Sequence, residues 1–269
     1  MNQQGIDVSV FQGEIDWPAV RRDGVRFAML RAGFGQTTDT RYESNVRNAV
    51  QAGVSVGAYW FSYALTEDDA RREAVRLLAS VAGRKVTYPL AIDYEDASVE
   101  YAKKNGVTVT RNSVTGLIRA FCETVRAAGY LPMVYTNPSF LRRYVDFPAV
   151  GSDAKLWLAE WSVSMPSYAA DIWQYTATGR VAGISTVVDR NLCYTDFPAP
   201  GDPRYQTLAE IPVSLRGETE RLIGTGALRG TGDGLDVTED MLRCMIVAAR
   251  YTDFRLSEQS GTPSPLFDP

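Results

Sequence analysis

The chain contains no histidine. That absence removes histidine general bases, Ser–His and Cys–His nucleophile systems and nearly all transition-metal sites at once. Any catalysis must rest on Asp, Glu, Tyr or Lys, with no metal and no cofactor expected. Cysteine is scarce as well. Cys122, Cys193 and Cys244 are scattered, without metal-ligand or redox spacing, which predicts a reducing site of synthesis and small, buried apolar residues. No apolar run approaches a bilayer span: Val56-Gly57-Ala58-Tyr59-Trp60-Phe61 is far too short, so no membrane partner is expected. The start, Met1 to Gly5, lacks the basic residues and apolar core of a signal peptide, which predicts synthesis in the cytoplasm. A net charge of −4 lacks the positive excess of a phosphate-tracking protein, so no nucleic-acid partner is expected.

What is present is the composition of an ordinary globular protein, 45% hydrophobic and 22% charged over 269 residues. Residues 5–13 open as a strand running into a turn, with Asp7 among apolar neighbours. Further strands are predicted at 25–31, 54–63, 88–96, 131–137, 156–161, 171–175 and 183–189. Helices fall between the earlier ones. Asp16 caps a helix beginning at Trp17-Pro18, Gly53 stops one over 42–52, Thr66 caps one running to about 82, and Gly129 closes one over 110–128. Near Pro138 a short helix starts, and between the last strands helices are missing or tiny. This alternation implies parallel βαβ units. Eight strands in about 195 residues imply a closed, TIM-like β/α barrel with its last helices reduced. An open doubly wound sheet competes, but no glycine-rich phosphate loop follows the first strand.

The barrel reading gathers chemistry around Tyr88-Pro89-Leu90-Ala91-Ile92-Asp93-Tyr94-Glu95-Asp96. On a strand, Asp93 and Glu95 face one way, roughly 6–7 Å apart, with Tyr94 and Asp96 facing the other. Buried neighbouring carboxylates push their pKa values apart, as acid–base hydrolysis requires. One of the two is expected to stay protonated and the other ionised. Alone, the stretch reads equally as a strand-end Asp capping the next helix beside a solvated Glu95. The other strand ends supply the company that decides. They carry Asp7, Arg31, Tyr59, Trp60, Tyr63, Tyr135, Asn137, Glu160, Trp161, Gln174, Tyr175 and Asp189. In a β/α barrel these ends share one rim. Aromatic rings stack on pyranose faces, amides bind hydroxyl and acetamido groups, and paired carboxylates cleave glycosidic bonds.

These residues stand in recognisable stretches: Gly5-Ile6-Asp7-Val8-Ser9-Val10-Phe11-Gln12-Gly13, Gly57-Ala58-Tyr59-Trp60-Phe61, Ile92-Asp93-Tyr94-Glu95, Tyr135-Thr136-Asn137, Leu156-Trp157-Leu158-Ala159-Glu160-Trp161, and Trp173-Gln174-Tyr175 with Val188-Asp189-Arg190-Asn191. In that order, across about residues 4–197, the set resembles the glycoside hydrolase family 25 lysozymes, the Chalaropsis-type muramidases found among phage endolysins and bacterial autolysins. One departure is Trp60, where many members carry His. The resemblance implies hydrolysis of the β-1,4 bond between N-acetylmuramic acid and N-acetylglucosamine in bacterial peptidoglycan. It makes Glu95 the general acid/base, expected to stay protonated while Asp93 stays ionised. Asp93 becomes its partner, either orienting the acetamido group as an internal nucleophile or supporting direct or inverting attack. Asp7 and Asp189 flank the site and stabilise positive charge in the transition state. It also makes Tyr59, Trp60, Tyr63, Arg31, Tyr135, Asn137, Glu160, Trp161 and Gln174 substrate-binding residues. An endolysin would act on the wall after a holin opens the host membrane.

Three alternatives use the same barrel. A chitinase-like hydrolase has Asp-x-x-Asp-x-Asp-x-Glu on strand four, but here the two earlier positions are Tyr88 and Ala91. A non-catalytic glycan-binding barrel would keep the aromatics and lose an acid, whereas all four are present. An enzyme of small-molecule metabolism would show a metal or phosphate motif, and none is seen. The catalytic barrel is expected to end at residue 197. A Pro-rich linker at 198–205 follows, then a small helical C-terminal module at 206–256 and a disordered tail at 257–269. The module's helices are predicted at 214–225 and 238–251, the second with an apolar stripe at Met241, Leu242, Met245, Ile246 and Ala249. So small a module buries little core alone, and the stripe needs a partner: the barrel, a second copy in a homo-oligomer, or the wall. Self-association or wall attachment is preferred to packing on the barrel.

Overall fold

The computed structural model describes residues 2–197, 205–230, 234, 235, 237, 238, 241, 242, 244–249, 252 and 253. Two compact units result, one up to residue 200 and one beyond it. The first alternates β1 (Gln3–Val8), α1 (Trp17–Arg22), β2 (Phe27–Phe34), a short β3 (Thr37–Thr38), α2 (Tyr42–Gln51), β4 (Ser55–Phe61), α3 (Glu67–Val81), β5 (Leu90–Asp93), α4 (Asp96–Lys104), α5 (Arg111–Ala127), β6 (Pro132–Thr136) and α6 (Pro138–Tyr144). Three strands complete it: β7 (Lys155–Ala159), β8 (Ile172–Gly179) and β9 (Val188–Cys193). The sheet closes because β1 pairs with both β2 and β9, giving an eight-stranded barrel with β3 added as a hairpin on β2.

The helix ends follow the expected local chemistry. Asp16 accepts from the Ala19 amide at 3.1 Å, and Thr66 from the Asp69 amide at 3.1 Å. Each such cap stabilises its helix by about 1 kcal/mol. Gly53 and Gly129 take φ of 77° and 82° just past α2 and α5, a left-handed conformation that side chains disfavour. The period-2 alternation of the strands then divides the apolar residues into two cores. One fills the barrel with Phe27, Met29, Ala91, Met133, Trp157, Ile172 and Cys193. The other lies between strands and helices, built on Ile6, Trp17, Ile92, Tyr94, Leu117 and Phe121.

The eighth barrel strand differs from expectation. It spans Val188–Cys193, not 183–189, and runs antiparallel to both β8 and β1. The cause is the length of the connection. A parallel return needs a crossover of a dozen or more residues. Between β7 and β8, residues 160–171 provide that crossover without a helix, whereas only residues 180–187 separate β8 from β9. The reversal puts the start of β9, and therefore Asp189, at the same rim as the other strands' C-terminal ends. A second difference is that β5 stops at Asp93 and α4 begins at Asp96, with the Ser98 hydroxyl accepting from the Glu95 amide at 3.2 Å.

The second unit holds α7 (Val213–Gly224) and a small core of Ile211, Leu215, Leu222, Leu228, Val237, Leu242 and Ile246. Most of the predicted stripe is thus covered within its own unit, with Leu242 fully buried and Met245 and Ala249 against the same core, while Met241 stays exposed. Tyr205 pairs with Val237, which makes it part of this unit instead of the linker. The rest of the expected linker, residues 198–204, and the expected tail at 257–269 lie outside the described residues. Cys122 and Cys193 are buried as expected, but Cys244 is exposed. Among the described residues no helix is long and apolar enough to cross a membrane.

Candidate active site

At the strand-end rim the inward positions turn from apolar to polar. Asp7 on β1 stands opposite Asp189 on β9, and Gln174 on β8 opposite Asn191 on β9. Asp93, Tyr135 and Trp157 occupy successive register positions across β5, β6 and β7. Asp7 accepts from the Gln174 amide at 3.0 Å and the Asn191 amide at 2.8 Å. Asn191 is itself oriented by the Trp157 indole N–H, which donates to its Oδ1 at 2.8 Å. Gln174 Oε1 accepts from the Tyr135 hydroxyl and the Trp161 indole, each at 3.2 Å. The Tyr59 and Tyr135 rings pack edge-on against Trp157, with centroids 5.7 and 4.7 Å away.

Burial sets the protonation of this cluster. It pushes Asp7 up to about 8, with the Asp189 charge adding to the rise and the Asn191 and Gln174 amides opposing it. Asp189 is also raised by burial, against a hydrogen bond with Asp7. Asp93 is held well above the ordinary carboxylate range by burial, then by the charges of Glu95 and Asp7, while Arg31 opposes. Among the described residues its buried Oδ1 has no hydrogen-bond partner. Half-buried Glu95 is raised by burial and then by Asp96. Both carboxyls are therefore raised, and the expectation that Asp93 stays ionised runs against its burial. The strand carries Asp93 deeper than the cap position carries Glu95, so Asp93 takes the greater desolvation. Asp96 faces solvent and pairs with Arg143 at 2.6 Å, yet its charge still reaches Glu95. Tyr59 and Tyr135 are raised well above their usual value, mainly by burial, and remain neutral donors.

Of the residues expected here, Asp7, Asp93, Glu95, Asp189, Tyr59, Tyr135, Gln174 and Arg31 act on one another. Arg31 also pairs with buried Asp39 at 2.8 Å and lies 4.9 Å from the Phe11 ring centroid. Trp161 stands at the rim, 51% exposed, followed by Ser162 at a positive φ of 61°. Four expected residues go elsewhere. Trp60 is fully buried in the outer core, because alternation sends it away from its neighbours Tyr59 and Phe61, and its indole donates to the Gly35 carbonyl at 3.1 Å. Asn137 caps α6, its Oδ1 accepting from the Phe140 amide at 2.9 Å. Glu160 accepts from the Ser167 amide at 2.7 Å and fixes the helix-free crossover after β7. Tyr63 lines a neighbouring cavity. The residues missed are Asn191, Trp157 and Phe11. Asn191 shares a face with Asp189 by period-2 spacing, but a strand expected to end at 189 does not include it.

Residues 6–184 match the profile of Glycosyl hydrolases family 25. The chain belongs to this family. Lysozyme M1 of Streptomyces globisporus is 32% identical over 200 residues, covering 70% of this chain and 66% of that protein. The autolytic lysozyme of Clostridium acetobutylicum is 29% identical over 191 residues, covering 69% of this chain and 54% of its own length. The chain thus spans less than two thirds of either relative. Among solved structures, the catalytic domain of endolysin ply40 from bacteriophage P40 of Listeria monocytogenes superimposes with a TM-score of 0.61 at 26% identity. That match covers 73% of this chain and 95% of the domain. The family 25 match ends at 184, so Asp189 and Asn191 enter the site through the structure, by pairing with β1 and β8.

Proposed function

We propose that the barrel is a muramidase that cleaves the β-1,4 bond between N-acetylmuramic acid and N-acetylglucosamine in bacterial peptidoglycan. The observation that carries this reading is the convergence of four carboxyls with raised pKa values on one rim, inside a barrel of family 25. Glu95, half-exposed and protonated more readily than a free glutamate, donates to the leaving oxygen. Asp93 offers the buried acceptor Oδ1, which has no partner among the described residues. An acetamido N–H bound there favours its ionised form and turns the acetamido oxygen toward the anomeric carbon. Asp7 and Asp189, holding a proton between them, limit negative charge until positive charge develops on the sugar. Tyr59, Tyr135 and Trp161 provide ring and hydroxyl contacts along the groove.

Likeness to an endolysin catalytic domain supports a phage role, with synthesis in the host cytoplasm and access to the wall after holin release. The described part of the second unit keeps Val213, Met241 and Val247 exposed after its core is formed, which supports wall attachment or self-association for that unit. Light scattering and wall pull-down with the second unit deleted separate the two roles. For the chemistry, Glu95→Gln is expected to lower hydrolysis of purified cell walls by at least about 10³-fold while circular dichroism and melting stay unchanged. Substantial residual hydrolysis sinks the assignment. Proton NMR of the first product should show the retained anomer.

A further inference from the structure

Beside the carboxylates lies a second feature that hydrolysis does not use. A cavity of about 300 Å³ opens between the β2–β3 hairpin, the segment that follows β4, α3 and α4, walled by the rings of Phe34, Tyr63 and Tyr101. It adjoins the reaction centre through the chain itself. Phe61 pairs with Asp93, the Ser62 amide donates to the Asp93 carbonyl at 2.8 Å, and Tyr63 follows directly. Tyr63 and Tyr101 pack with centroids 4.9 Å apart, leaving Tyr101 41% exposed.

The floor holds charges that the fold leaves incompletely matched. Glu73 on α3 is only 4% exposed. Its Oε1 accepts from the Tyr63 amide at 3.0 Å, whereas among the described residues its buried Oε2 has no partner. Burial pushes Glu73 up to about 7, against the opposing influence of the Ser62 hydroxyl, the Tyr63 amide and Arg76. Arg76, one turn along α3 and half-buried, makes no ion pair among the described residues. The neighbouring charges on α3, Arg72 and Asp69, pair with each other. An unpartnered buried acceptor is costly and normally finds a donor. What remains is one acceptor and one cation side by side, between aromatic walls. A neutral sugar ring would use the walls and the acceptor but leave the guanidinium unmatched. A group carrying an ammonium and a carboxylate on one carbon satisfies both.

We infer that this cavity binds the zwitterionic end of a diamino acid in the peptide stem of peptidoglycan, with Glu73 receiving the ammonium and Arg76 the carboxylate. This rests on the muramidase reading, because the stem hangs from the muramic acid whose bond is cleaved. The cavity would make the enzyme select stem-bearing strands over bare glycan.

The test uses the full chain and two substrates: glycan strands bearing diaminopimelate-type stems, and the same strands stripped of stems by an amidase. The parent should cleave stem-bearing strands with kcat/KM at least tenfold higher. Arg76→Ala and Glu73→Gln should each reduce that ratio to within about twofold of unity, leaving kcat/KM on stripped strands within twofold of the parent. Acetylating the free stem amine should have the same effect on the parent. Equal cleavage of both substrates by the parent, or a preference that survives Arg76→Ala, overturns the stem site while leaving the muramidase reading intact. Cleavage of neither substrate overturns both. Arg76 is partly solvent-facing, so its variant decides the matter even if Glu73→Gln fails to fold.

Discussion

Asp7 and Asp189 face each other across the antiparallel β1–β9 pair, with Asp7 buried to 6% exposure. Two like charges so placed cannot both ionise cheaply. The folded chain therefore holds a proton on Asp7 up to about pH 8, whereas an unfolded Asp releases it near 3.8. Native protein binds more protons than unfolded protein across this window, so the contribution of Asp7 to stability is full below about pH 4 and declines as pH rises through about 8. Asp7→Asn keeps an acceptor for Gln174 and Asn191 and adds a donor for Asp189, without a titrating group. Relative to the parent it should gain at least ~1 kcal/mol between pH 5 and pH 8, read by urea melts at both values. A gap that does not widen with pH contradicts the shared proton. The same variant should be severely impaired in hydrolysis, a trade of activity for stability.

The chain of contacts Trp157–Asn191–Asp7 predicts a different signature. Trp157→Phe removes the indole N–H that fixes the Asn191 amide, so Asn191 loses its orientation and Asp7 a dependable donor. An orphaned buried acceptor costs roughly 1–3 kcal/mol. The melting temperature should fall accordingly. Hydrolysis should drop about tenfold in kcat with KM nearly unchanged, because nothing that touches solvent-side substrate has moved. A fall confined to KM would assign Trp157 to binding instead.

Trp60 and Trp161 should separate cleanly. Trp60→Phe loses the bond to the Gly35 carbonyl inside the outer core and should destabilise by about 1–2 kcal/mol with unaltered KM. Trp161→Ala removes a half-exposed ring at the rim and should raise KM several-fold with stability within about 0.5 kcal/mol. Thermal melts and initial rates on one wall preparation check both. A KM effect from Trp60→Phe would restore it to the groove.

That pair also marks how far the chain could be read from its letters. Most of the strand and helix order, the closed barrel and the four carboxylates were legible because each rests on local periodicity or on strand-end position, whereas α4, directly after β5, was not among the expected helices. Trp60 went wrong because a cluster of rings at a strand end does not reveal which one sits on the inward face until the register is known. Asn137 and Glu160 are polar at strand ends and so looked like substrate ligands, but the backbone amides of Phe140 and Ser167 claim their oxygens first. How deeply Asp93 and Glu95 are each buried depends on where β5 stops, and the apolar run through Ile92 does not reveal that it stops at Asp93. The apolar stripe in the second unit was visible; its covering by Ile211, Leu215 and Leu222 required a tertiary contact that composition does not encode.

The reversal of β9 has an engineering consequence. With seven strands running one way and the eighth returning, the barrel's first strand starts and its last strand finishes at the same end, opposite the carboxylates. There Tyr88 joins the two runs, its hydroxyl donating to Gln3 at 3.1 Å and its ring meeting Phe197 at 5.2 Å. Tags, surface tethers or targeting peptides joined to either end of the barrel would emerge from the closed base. The carboxylate rim at the opposite end would stay clear of them.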